Sequence, residues 1–147
     1  MALMNRFTRG LLYMSIAVTC EVIFTGIKRW PTFQGKTQLW VLPLYFFCST
    51  YLFEPMYYKI SRLPFPIRGF IYGMFILCME YIAGFSISKL IGSCPWKYRY
   101  EKCGGYINPY YLPLWAAMGL AGEYVCDYFD SIYIPSNIHQ YTRIMGR

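Results

Sequence analysis

The chain has almost no histidine: His139 is the only one among 147 residues, and it lies outside every long apolar stretch. Without a histidine base inside those stretches, no serine or cysteine there has a visible activating partner. The Glu-x-x-His pairs of di-iron bundles cannot form either. G-x-S-x-G elbows and Walker phosphate loops are missing as well. Charge is scarce, with 14% of residues charged against about 25% in soluble proteins. No linker rich in glycine, serine or charge interrupts the sequence, so its length suits a single domain. These absences point away from a soluble enzyme, and nothing in the sequence implies a cofactor or a metal.

What the chain has is apolar surface: it is 56% hydrophobic and 21% aromatic. The apolar residues gather in four stretches, 11–27, 39–60, 67–90 and 110–129. Each is close to the roughly 20 residues that a helix needs to cross a bilayer core. The runs are continuous rather than alternating, which disfavours a closed β-barrel. The expected fold is therefore all-α: a polytopic membrane protein with four transmembrane helices in one compact bundle, its spans joined by one longer loop, 91–109.

Punctuation along the chain fits that reading. Arg6 and Arg9 precede the first run like the start of a signal sequence, but the run continues past the usual length, contains Glu21 and lacks a small-x-small cleavage site. It reads as a retained span, closed by the anchors Lys28, Arg29 and Trp30 and the helix stop Pro31. In the second run Pro55 follows Glu54 directly, and the lost backbone donor predicts a kink beside the carboxylate. The proline-rich connection 61–66 is short enough to make a tight antiparallel hairpin of the second and third helices.

A net charge of +7 comes from 14 lysines and arginines, which the sequence places outside the apolar cores. Bases that flank spans meet lipid phosphates, so they are assigned to the membrane surface and not to nucleic acid. Four spans divide these bases seven and seven between the two sides, so the positive-inside rule leaves the orientation open. A lumenal 91–109 loop would put both termini in the cytosol. An endoplasmic reticulum or plasma membrane location fits such a chain.

Four of the seven acidic residues, Glu21, Glu54, Glu80 and Glu123, fall one in each apolar stretch. A bare carboxylate in hydrocarbon costs about 2.5–3.5 kcal/mol on insertion scales and more in simulations, so such groups turn inward and find partners. Residues three and four positions away share a helix face. Glu54 has Thr50, Tyr51, Tyr57 and Tyr58 there as hydroxyl donors, while Glu123 has the small Gly119, which lets a second helix approach. Four readings stay open: metal coordination, a cationic ligand such as an amine headgroup, internal bonds that hold the bundle together, and contact with a partner protein.

The loop offers two more pairs of readings. Cys94 and Cys103 close a small ring and would form a disulfide in an oxidising lumen, or stand as two free thiols. Pro95, Trp96, Lys97, Tyr98 and Arg99, with Trp115 on the next helix, are either interfacial anchors or a cap over the glutamates that receives a lipid headgroup.

Three segments carry a family resemblance: Cys20-Glu21-Val22-Ile23-Phe24-Thr25, the run from Ile76 to Phe85 around Glu80, and Cys94-Pro95-Trp96-Lys97-Tyr98. They resemble the transmembrane protein 229 family and its bacterial relatives labelled type IV ABC transporters. The similarity covers about Leu12 to Val125, and Trp115 and Glu123 follow in the expected order. Lys97 departs from it, standing where the family commonly has an acid. The resemblance implies a small four-span membrane protein. With no nucleotide-binding domain, such a chain is expected to be a non-enzymatic accessory subunit of a larger membrane assembly, in contact with membrane lipids and a larger membrane protein or copies of itself, in lipid handling or transfer. The alternative is a small transporter whose glutamates bind a cation, a proton or an amine headgroup.

Overall fold

The computed structural model describes residues 5–94, 96–98 and 103–133. Among them there are only helices and connections, with no strand. Helix α1 is Arg6–Ile27, α2 Val41–Phe47, α3 Glu54–Ile60, α4 Phe65–Ile91 and α5 Leu112–Tyr133. A π-helical segment, Cys48–Phe53, joins α2 to α3 without a break, so the five pieces make four helices.

The helix ends have local causes. Asn5 caps α1, its side chain accepting from the Thr8 backbone N–H at 2.8 Å, so this helix starts five residues before the apolar run does. Pro66 stands in the first turn of α4, where a missing N–H costs nothing. Gly92, with φ at 76°, ends α4 in the left-handed conformation that glycine adopts without strain. Pro55, beside which the sequence predicts a kink, sits in the first turn of α3. The irregularity falls just before it, in the wider π turn, which accommodates one extra residue in an otherwise regular helix.

The chain divides into two compact units, residues 1–56 and 57–147, and the division falls within α3. In the first, α1 packs on α2 and on the π segment. In the second, α4 packs on α5. Close approach in the second unit depends on Gly119: a methyl group there would collide with the Cβ of Tyr72, which is fully buried. Gly10 plays the same part in the first unit, where the ring of Phe46 fills the space beside it.

Among the described residues two helices, α1 and α4, are long and apolar enough to cross a membrane. Helix α5 matches α1 in length but carries Glu123, Asp127 and Asp130. Both units leave large apolar side chains exposed, among them Phe7, Ile23 and Phe47 in the first and Phe70, Ile82 and Tyr124 in the second.

Candidate functional site

Each unit is built around a ladder of polar groups, and the two ladders match. In the first unit Arg9 forms an ion pair with Glu54, and its Nη2 donates to the Tyr13 hydroxyl at 3.4 Å. Twelve positions after Arg9, Glu21 accepts from Thr37 Oγ1 at 2.8 Å and from the Tyr45 hydroxyl at 3.2 Å, both through Oε2.

In the second unit Arg68 grips Glu123 with two bonds, Nε to Oε1 at 2.7 Å and Nη2 to Oε2 at 2.9 Å. The Tyr72 hydroxyl adds a third donor to Oε1 at 2.7 Å. The remaining Nη1 of Arg68 donates to the Leu63 carbonyl at 2.8 Å, tying the guanidinium to the turn that precedes its helix. Twelve positions after Arg68, Glu80 accepts from the Tyr98 hydroxyl at 2.6 Å and from Trp115 Nε1 at 3.1 Å, one bond on each oxygen.

The correspondence is written in the sequence. Arg9-Gly10-x-x-Tyr13 with Glu21 repeats as Arg68-Gly69-x-x-Tyr72 with Glu80. Leu42-Pro43-Leu44-Tyr45 followed by Glu54 repeats as Leu112-Pro113-Leu114-Trp115 followed by Glu123. The interval from aromatic to glutamate is nine residues in the first copy and eight in the second, and the π segment lies within the longer interval. One inserted residue is what a π turn absorbs while keeping the flanking helix faces in register. Two hairpins of one design therefore share the chain. Internal similarity is the signal that points to Arg9, Tyr13, Tyr45, Arg68 and Tyr72 in the sequence alone.

Several expectations need correction. Arg9 and Arg68 are not surface bases: Arg9 is 9% exposed, and both arginines spend their charge on a glutamate within their own unit. The Tyr57 hydroxyl donates to Asp127 at 2.5 Å, and the Tyr58 hydroxyl to Asp130 at 2.8 Å. Asp130, which the helical-spacing argument passes over, is buried.

The loop between α4 and α5 turns partly inward. Tyr98 reaches Glu80, and Trp96 donates from Nε1 to the Tyr106 carbonyl at 2.9 Å, with both Trp96 and Tyr106 lying against Gly84. Lys97 is exposed, while Pro95 and Arg99 lie outside the described residues. Cys94 and Cys103 are free thiols, not a disulfide. Hydrogen bonds close the loop instead, including Tyr98 N–H to the Gly105 carbonyl at 2.8 Å. Burial pushes the Cys94 thiol above its ordinary value, which lowers its thiolate fraction and its reactivity.

Among the described residues no group of three or more His, Cys, Asp or Glu side chains is arranged to hold a metal ion. Chemically the ladders are suited to joining helices: each glutamate has at least two donors or a guanidinium within its own unit. No protein-family model, curated protein or solved structure matches this chain.

Proposed function

We propose that the chain is a four-span membrane protein without catalytic activity, an accessory subunit of a larger membrane assembly that handles lipids. One observation carries this reading: all four glutamates of the apolar stretches are satisfied inside their own hairpins. Carboxylates committed to arginine, tyrosine, threonine and tryptophan donors serve as helix cement and leave little for a substrate. Pairing also lowers the cost of placing 41–60 and α5 in a bilayer beside α1 and α4, because an uncompensated charge is what hydrocarbon penalises most. The many exposed apolar side chains then face lipid and a partner protein. The resemblance to the transmembrane protein 229 family agrees with a small multi-span chain in the endoplasmic reticulum or plasma membrane.

The alternative is a small transporter, and one feature favours it. Glu21 and Glu80 are held by neutral donors, unlike Glu54 and Glu123, so a proton or cation bound there would have no guanidinium to displace. Purification of the tagged protein from its native membrane in mild detergent separates the two. A stoichiometric larger membrane protein in the eluate supports the subunit reading. A chain that elutes alone and moves protons or cations in sealed vesicles overturns it.

A further inference from the structure

A groove opens in the second unit, between α4 and the segment that leads into α5. Its volume is about 380 Å³, and its walls are almost wholly apolar. Met74, Cys78 and Ile82 line it from α4, with Ile107, Pro109 and Leu112 opposite. Met74 and Ile82 are 41% and 55% exposed, so the groove is open along the helix rather than closed within the core.

The same helix face carries a cation. Positions 78, 82, 85 and 89 fall on one stripe of a helix, and Lys89 is the basic residue in the last turn of α4. Its Nζ lies 5.7 Å from the centroid of the Phe85 ring, the residue between it and the groove. Lys89 lies eleven positions after Cys78. At helical rise that is about 16 Å, half of the roughly 30 Å hydrocarbon core. A lipid whose phosphate meets Lys89 at the interface would therefore lay an acyl chain where the groove runs. We infer that this groove binds one anionic phospholipid, its chain against Met74, Cys78 and Ile82 and its phosphate at Lys89.

The inference rests on the membrane-spanning reading above and gives its lipid role a site. It does not need the partner, so the two fail separately. The test uses the full-length chain reconstituted with equal phosphatidylcholine and phosphatidylglycerol, then extracted in mild detergent and weighed by native mass spectrometry. One retained phospholipid per chain is expected, mostly phosphatidylglycerol. Ile82→Trp, which fills the groove from its exposed rim, should lower retention about tenfold, and Lys89→Gln should keep a lipid but lose the headgroup preference. A second readout needs no variant: phosphatidylglycerol added to delipidated protein should slow alkylation of Cys78 by N-ethylmaleimide while leaving Cys20 unchanged. Equal retention of the two lipids by the unaltered chain, or Cys78 alkylation indifferent to added lipid, overturns the inference. Cross-linking of Cys78 to a protein helix in the native assembly, with no lipid retained, does the same and gives the groove to a partner.

Discussion

The two hairpins solve one problem with the same parts and differ in two places. Both put an arginine and a tyrosine one turn apart at the start of the first helix, pair the arginine with a glutamate on the second helix, and hold a further glutamate twelve residues on with two neutral donors. The first hairpin inserts one residue as a π turn before Glu54. The second carries eleven more residues between its first glutamate and its Leu-Pro-Leu motif, and they build the loop from which Tyr98 reaches Glu80. What is shared is the polar frame of a hairpin, while what differs is where a hairpin was free to acquire something else. The apolar groove lies against the end of that longer loop, at Ile107 and Pro109.

The largest expected effect comes from breaking a buried pair on one side only. Arg68→Ala leaves Glu123 buried with Tyr72 as its remaining strong donor, and should cost about 3–5 kcal/mol in reversible unfolding, read in mixed micelles. Arg9→Ala should cost a similar amount through Glu54. A clear inequality between the two would break the equivalence of the hairpins. Replacing Arg68 and Glu123 together by Met and Leu should recover part of the loss, since no charge is left uncompensated while the buried Tyr72 hydroxyl loses its carboxylate acceptor.

Next in size is Gly119→Leu. The new side chain must displace Tyr72 from the α4 and α5 contact, and overpacking of this kind costs about 1–3 kcal/mol. Ala121, exposed on the same helix, provides the control: Ala121→Leu should change stability by less than about 0.5 kcal/mol.

Smaller effects distinguish the second glutamates. Tyr98→Phe and Tyr45→Phe each remove one hydroxyl donor from a carboxylate that keeps another, and each should cost about 1 kcal/mol. Smallest of all is deletion of Ser49, which makes the interval before Glu54 equal to its counterpart before Glu123. If the π turn is only a one-residue insertion, the helix should close to regular α-hydrogen bonding with a change under about 1 kcal/mol. Arg9→Ala should then cost as much in the shortened chain as in the unaltered one, because the ion pair with Glu54 is kept.

The sequence announces the helical class because continuous apolar runs have few alternatives, and it exposes the glutamates because a carboxylate in such a run stands out. The arginines are harder to see. Arg9 and Arg68 sit at the edges of apolar runs, where a base reads as an interfacial anchor, and only the facing glutamate on another helix shows that they turn inward. Helical spacing offers Tyr57 and Tyr58 to Glu54, whereas their hydroxyls also reach Asp127 and Asp130 on another helix, partners that spacing along one helix does not announce. The free thiols are undecidable from spacing alone, since the loop closes through backbone and indole hydrogen bonds that no pattern announces. The repeat is legible throughout and needs only a comparison of the chain with itself.

The claim that the carboxylates are cement is tested most directly by the stability of four single variants, Glu21→Gln, Glu54→Gln, Glu80→Gln and Glu123→Gln. Losses concentrated at Glu54 and Glu123, where the paired arginine is left uncompensated, with smaller losses at Glu21 and Glu80, are the predicted result. Variants as stable as the unaltered chain or more so, the mark of groups held at a cost for a ligand, would contradict it.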